Sequence, residues 1–190
     1  MIATETALTG AFVLDVDAQE DTRGLFARIF CEREFVSLGL DPRVVQANLS
    51  LTRHVGTVRG LHFQYPPYAE TKVVRCTKGA VLDVIVDLRP ESPTFLQHTS
   101  VELTAANRRS LYVPRRFAHG YQVLLPETEL LYLMGEFYAP NHQGGLRHDD
   151  PRLAIQWPQR VRDMSDRDRA WRPLAEWEDD LRVKMSGAVD

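Results

Sequence analysis

Short runs of β-branched and aromatic residues, each closed by a turn signal, recur along this chain from its start to Pro140. Such residues suit a pleated, half-buried surface. The predicted strands cover 12–16, 25–30, 44–52, 57–64, 71–77, 80–88, 95–103, 110–113, 118–124 and 129–138. Gly56, Pro66-Pro67, Lys78-Gly79 and Pro90 punctuate them. Strands at even spacing, without helices between them, indicate an all-β sandwich or barrel rather than an alternating α/β fold.

Helix is expected at only a few places. Residues 32–38 read as a short helix ended by Gly39 and Asp41-Pro42. Beyond Pro140 the composition changes, and Gly144-Gly145, Asp149-Asp150-Pro151 and Trp157-Pro158 mark loops. Ser165 is placed to cap a helix whose third position is Asp168. A charged helix is expected over 173–183, with frayed residues after it. The 190 residues therefore read as one domain, 1–190, with a C-terminal helical appendage over about 165–183.

Charge narrows the function classes. Lys plus Arg number 23 against 26 Asp plus Glu, a net charge of -3. That excludes a broadly basic nucleic-acid binder and leaves local cations facing an anionic small molecule. No apolar run of about 18 residues occurs, so no membrane span is expected. The N-terminus carries Glu5 and lacks a basic start before an apolar run, unlike a secretory signal. The two cysteines, Cys31 and Cys76, form no CxxC pair, so a reduced cytoplasmic setting is expected.

Three clusters could carry chemistry. In Arg59-Gly60-Leu61-His62-Phe63-Gln64, strand alternation sets Arg59, Leu61 and Phe63 on one face and Gly60, His62 and Gln64 on the other. A solvated face on an edge strand would give the same pattern. The second cluster is Phe117-Ala118-His119-Gly120-Tyr121. The third is Tyr132, with Tyr138 on its face if the strand stays regular through Gly135. A lone tyrosine in an apolar run is more often a core residue with a satisfied hydroxyl. Metal-ligand spacing is lacking: Gln64 stands two after His62, His119 has no His partner two away, and His148-Asp149-Asp150 reads as a turn. Ser50, Ser110 and Cys76 lack an activating context for nucleophilic catalysis.

Taken in order, these clusters and their neighbours resemble a known family. The stretches are Asp21-Thr22-Arg23-Gly24-Leu25-Phe26, Arg59 to Gln64, Lys72-Val73-Val74-Arg75-Cys76 and Asp83-Val84-Ile85-Val86-Asp87-Leu88-Arg89. Ser92-Pro93-Thr94-Phe95, Phe117-Ala118-His119-Gly120, Leu131-Tyr132, Phe137-Tyr138-Ala139-Pro140 and Ser165-Asp166-Arg167-Asp168 continue the series. From about Gly10 to Leu174 the chain is similar to the nucleoside-diphosphate 4-keto-6-deoxysugar epimerases, the dTDP-4-dehydrorhamnose 3,5-epimerase family.

The resemblance implies a cupin-type jelly roll used without metal or cofactor, and a homodimer with exchanged N-terminal strands. It implies a nucleotide-diphosphate sugar as substrate, inverted at C3 and C5 through an enolate. His62 becomes the base, Asp168 its orienting partner, Tyr132 the acid and Lys72 the group facing the enolate oxygen. Arg23, Gln46, Asn48, Arg59, His119 and Tyr138 become substrate contacts, with His119 also near the enolate. Asp87 and Arg89 read as a structural pair. Three departures bear on the nucleotide: Arg28 stands where the family has an acid, Ala47 and Leu49 flank Asn48, and Leu133 follows Tyr132. They keep open a CDP-linked substrate, a 3-only or 5-only epimerase and a 3,4-ketoisomerase. An inactive sugar-binding jelly roll and a metal-dependent cupin oxygenase compete with the epimerase reading from outside its class.

Overall fold

The computed structural model describes residues 1–186. The fraying expected at the end of the chain falls on 187–190, outside the described residues. Thirteen strands run β1 (Ile2–Glu5), β2 (Phe12–Asp15), β3 (Ala18–Asp21), β4 (Gly24–Ala27), β5 (Gln46–Thr52), β6 (Val58–Gln64) and β7 (Lys72–Lys78). They continue with β8 (Ala80–Asp87), β9 (His98–Thr104), β10 (Ser110–Val113), β11 (Phe117–Val123), β12 (Thr128–Met134) and β13 (Gln143–Gly145). Three α-helices, α1 (Glu32–Ser37), α2 (Asp166–Arg169) and α3 (Glu178–Met185), are short.

Two antiparallel sheets result, ordered β1-β2-β10-β7-β12-β5 and β13-β6-β11-β8-β9, with β3-β4 as a separate hairpin. This is the two-sheet, all-β architecture expected. Alternate side chains of both sheets meet between them: Val74, Cys76, Leu111 and Leu130 from one pack with Val81, Ile85, Leu103, Phe117 and Val123 from the other.

A second apolar layer explains why β8 reads as almost uninterrupted apolar sequence. Val84 and Val86 turn outward onto Leu146, Leu153, Leu174, Trp177, Leu181 and Met185 of the C-terminal segment. That segment is tied down by Asp150, which is 2% exposed. Its Oδ2 accepts from the Leu174 amide at 2.7 Å and its Oδ1 from the Arg152 amide at 2.9 Å. On the outer face of the other sheet, α1 buries Phe35 against Leu14, Leu40, Val73 and Tyr112. Burying such a side chain is worth about 1.5–3 kcal/mol.

The structure departs from the sequence reading where tertiary contacts override local pattern. The strand expected over 129–138 stops at Met134. The Gly135 amide donates to the Thr71 carbonyl at 2.9 Å, and a Cβ on Gly135 would clash with Thr71 Oγ1. The chain therefore leaves the sheet there, and Tyr138 lies in a loop rather than on the Tyr132 face. The strand expected over 95–103 begins at His98, after Leu96 turns with φ 61°. The helix expected over 173–183 is a 3-10 turn, Leu174–Glu176, followed by α3.

Candidate active site

The alternation rule fails where it matters most. Arg59 and His62, expected on opposite faces, line one cavity of about 600 Å³. The reason is a register shift between β6 and β11, where His119 pairs with His62 but Tyr121 pairs with Arg59. Gly60 sits at this slip with φ +117°, and a Cβ there would lie 2.5 Å from the Gly120 Cα. Two glycines thus let the strands approach closely while both flanking side chains turn to the cavity. Nor is β6 an edge strand, since β13 covers its other side.

Asp168 reaches this strand from α2. Its backbone amide donates to Ser165 Oγ at 3.1 Å, the N-cap read from sequence. The carboxylate Oδ1 lies 2.6 Å from His62 Nε2, and Oδ2 accepts from the Gly60 amide at 3.4 Å. Burial works to raise the Asp168 carboxyl. The His62 hydrogen bond and charge, the Gly60 amide and Ser165 outweigh it and hold the group below the usual aspartate value. An ionised carboxylate only accepts, so neutral His62 carries its proton on Nε2 and presents Nδ1 as the free base. His62 keeps 43% of its side chain exposed while Asp168 keeps 4%, which suits a reactive group and its support.

Tyr132 faces the cavity from β12 in the opposite sheet. Burial pushes its phenol well above the ordinary tyrosine value, as do Tyr121 and Asp83, while the Ser50 hydroxyl works the other way. The phenol is therefore a protonated donor at neutral pH. Lys72, 6% exposed, begins β7. Its Nζ donates to the His62 carbonyl at 3.2 Å and pairs with Glu70 Oε1 at 3.0 Å.

His119 also lines the cavity, its ring 6.0 Å from that of Tyr132 and edge-on. Its Nε2 lies 2.9 Å from Asp83 Oδ2. Burial pushes the Asp83 carboxyl up, against the pull of His119 and Lys72. Asn48 lines the main cavity, and a side pocket of about 150 Å³ adds Gln46 and Tyr138. Gln46 Nε2 donates to Asn48 Oδ1 at 3.0 Å, and Tyr138 is 56% exposed.

Arg23 is the exception among the candidates. It lies on the β3–β4 hairpin, paired with Asp21, with 87% of its side chain exposed. The hairpin belongs to neither sheet, so the chain's own fold leaves Arg23 outside both pockets. Arg28 likewise lies outside them and pairs with Glu34. Arg89 and Asp87 pair at 2.7 Å, away from the cavity.

Several groups at or behind the cavity receive no site role in the sequence reading. Ser50 falls on the Asn48 face of β5 by alternation, and Tyr121 stands two after His119; these offsets are a usable signal. Asp83 is a charge inside an apolar strand, another readable sign. Arg167 and Glu70 give no local cue. Among the described residues, no three His, Cys, Asp or Glu side chains group as a metal site.

Comparison with known proteins gives this geometry a family. The family model described as dTDP-4-dehydrorhamnose 3,5-epimerase matches residues 5–176. The curated enzyme of that name from Sinorhizobium fredii is 46% identical over 138 residues, covering 73% of this chain and 71% of that protein. The crystal structure of the enzyme from Elizabethkingia anophelis aligns with a TM-score of 0.90 at 35% identity, covering 93% of this chain and 97% of that one. The Legionella pneumophila enzyme, solved with dTDP-4-keto-L-rhamnose, aligns with a TM-score of 0.88 at 33% identity, covering 95% and 96%. The chain belongs to the dTDP-4-dehydrorhamnose 3,5-epimerase family, isomerases built on a cupin-like jelly roll.

Proposed function

We propose that this chain inverts C3 and C5 of a nucleotide-diphosphate-linked 4-keto-6-deoxyhexose, with dTDP as the nucleotide carrier. The observation that carries this reading is the placement of His62 and Tyr132 on opposing sheets across one cavity. A sugar ring between them meets a base on one face and an acid on the other. Carbons 3 and 5 both adjoin the ketone, so their C–H protons are acidic and their removal gives an enolate.

His62 Nδ1 takes the proton, and the imidazolium is held by Asp168. The charge that moves to the ketone oxygen is met by the Lys72 ammonium, with His119 nearby. The Tyr132 O–H bond then breaks as a C–H bond forms on the opposite face, the ketone is restored and a tyrosinate remains. Arg59 and Asn48 contact the diphosphate sugar, and Gln46 and Tyr138 border its further end. No metal or organic cofactor takes part.

We further propose that residues 1–190 work as one domain and that the enzyme is a cytoplasmic homodimer. The free Cys31 and Cys76 support the location. Exposed apolar residues on the hairpin, Leu25 at 37% and Phe26 at 77%, support the dimer. An exchanged arm also gives Arg23 a place to act, on the partner subunit.

The test is Tyr132→Phe in deuterated water with dTDP- and CDP-linked 4-keto-6-deoxyglucose. Phe keeps the packing and leaves His62 able to exchange protons on its own face. Deuterium should enter with retained configuration while inversion falls at least about tenfold. Near-normal inversion would remove Tyr132 as the acid. In the wild-type enzyme, label at both carbons supports the double inversion, and label at one assigns a 3-only or 5-only epimerase.

A further inference from the structure

Two His–Asp pairs stand at one cavity, and their surroundings differ. His62 Nε2 meets Asp168 Oδ1 at 2.6 Å, and His119 Nε2 meets Asp83 Oδ2 at 2.9 Å. Asp168 also accepts from the Gly60 amide, and its histidine is largely open to solvent. Asp83 is fully buried, and its Oδ1 has no hydrogen-bond partner. It shares the inner face of β8 with Val81 and Ile85 of the sheet-to-sheet core. His119 on β11 is in register with Ile85, so Asp83 is its diagonal neighbour, within reach of a long side chain.

Two proton counts are open to the His119–Asp83 pair. With one shared proton it is imidazolium and carboxylate, or imidazole and carboxylic acid. In the first form both ring nitrogens carry hydrogen. In the second the acid donates to Nε2, and the ring hydrogen sits on Nδ1. Either way Nδ1 is a donor and the pair is neutral. Without that proton the carboxylate takes the Nε2 hydrogen, Nδ1 is a bare lone pair and the pair carries a net negative charge. Nδ1 has no hydrogen bond within the chain and is not among the buried polar atoms left unpaired, so it opens to the cavity that the ring lines.

Burial decides between the counts. A net charge shut away from water, on a carboxylate with one oxygen unpartnered, is costly, so the neutral pair wins. The same burial pushes the Asp83 carboxyl up, against the pull of His119 and Lys72. The Lys72 charge is already matched by Glu70 at 3.0 Å. The other groups facing the pair are Tyr132 from β12, Tyr121 from β11 and His62 from β6, none of them a carboxylate. Around Asp168 the balance is reversed, and the ionised carboxylate leaves Nδ1 of His62 bare.

We infer that Asp83 is a positioning residue that keeps a proton on Nδ1 of His119, so that this nitrogen donates a hydrogen bond to the ketone oxygen as it becomes an enolate. This rests on the proposed epimerase reaction. The two pairs then do opposite work. His62 takes a proton from carbon through a bare Nδ1, and His119 holds the oxygen through a protonated one. The His119 proton is not transferred. It stays on nitrogen while charge builds on the oxygen and drains back as carbon is reprotonated. Being neutral, the pair adds a fixed donor beside Lys72 without placing a second net cation there.

The ring state is read directly, without substrate, by heteronuclear NMR of isotope-labelled histidine nitrogens at neutral pH. His119→Gln and His62→Asn assign the signals. Nδ1 should be protonated in His119 and bare in His62. A bare Nδ1 with a protonated Nε2 in His119 overturns the inference.

Asp83→Leu removes the partner at similar size. Deuterium exchange and inversion should fall together by roughly tenfold, less than the 10²–10³ of losing an oxyanion donor outright, because the imidazole remains. KM should change less than about twofold, since the donor acts on the enolate. The Asp83→Asn amide donates to Nε2 and leaves the hydrogen on Nδ1, so its fall should stay within about threefold. That variant and the ring state of the wild-type enzyme decide the matter even where Asp83→Leu does not fold. Unchanged exchange in folded Asp83→Leu, or Asp83→Asn slower than about tenfold, overturns the inference. The two readings fail separately. A wild-type enzyme that neither exchanges nor inverts its sugar removes the epimerase reading, whatever the ring state. Normal epimerisation with a bare Nδ1 on His119 removes this inference alone.

Discussion

His62 and Asp168 stand 106 positions apart in sequence, yet their Nε2 and Oδ1 atoms lie 2.6 Å apart. The contact depends on the C-terminal segment docking on the outer face of the five-stranded sheet. The cation of the reaction and the packing of the appendage are therefore coupled: whatever loosens the layer around Leu174 and Trp177 also loosens the partner of the base.

Removing the base should cost more than removing its partner. His62→Asn is expected to lower turnover about 10²–10⁴-fold. Asp168→Asn should cost less, because the imidazole remains while its orientation and charge support are lost. Steady-state turnover of both variants, with folding checked by circular dichroism, decides this. Turnover of His62→Asn within about threefold of wild type, far below the range for a lost base, removes the assignment. A larger loss in Asp168→Asn reverses the ordering.

Lys72 carries two roles that one pair of variants separates. Lys72→Met should reduce deuterium exchange and inversion together by roughly 10²–10³, because the enolate loses its cation. It should also destabilise the fold by about 3–5 kcal/mol, since Glu70 is left as an unpaired buried carboxylate. Adding Glu70→Gln should recover much of the stability and none of the rate. Recovery of exchange in the double variant would show that Lys72 serves only the fold.

Acid should weaken the fold partly through Asp87. Its side chain is fully buried. Burial raises the carboxyl, but Arg89, Ser92 and Thr94 outweigh it and hold the group below its ordinary value. A depressed carboxyl stabilises the fold above its unfolded pKa of about 3.9, and that contribution is lost as pH falls through the lower folded value. Asp87→Asn should therefore cost about 3–5 kcal/mol at pH 7. The difference from wild type should shrink in urea titrations at about pH 3, below the unfolded value. An equal difference at both pH values would mean that the hydrogen-bond geometry, not the charge, is what counts.

The two thiols should differ sharply in reactivity. Burial pushes Cys76 up to about 11, and its sulfur lies within the sheet-to-sheet core. Cys31 is half-buried ahead of α1. Iodoacetamide at mild alkaline pH should label Cys31 in the native protein and reach Cys76 only on unfolding, since the thiolate is the nucleophile. Peptide mapping that finds Cys76 labelled first would contradict the packing described.

The sequence by itself determined the class of fold and the chemistry on offer. The family resemblance picked out His62, Lys72, Tyr132 and Asp168 together, while β-branched runs between turn signals pointed to an all-β sandwich or barrel and Ser165 marked the start of α2. These are legible because strand periodicity and helix capping act over a few residues. What lay beyond that reach was decided by tertiary contacts. The slip at Gly60 and Gly120 turned Arg59 into the cavity against the alternation rule. Thr71 met Gly135 and ended β12 before Tyr138. The hairpin stood clear of both sheets and took Arg23 away from the pockets of its own chain. The His119–Asp83 pair joins two strands, β11 and β8. A hydrogen bond between strands far apart in sequence exists only once register and sheet order are set, and no local pattern encodes either.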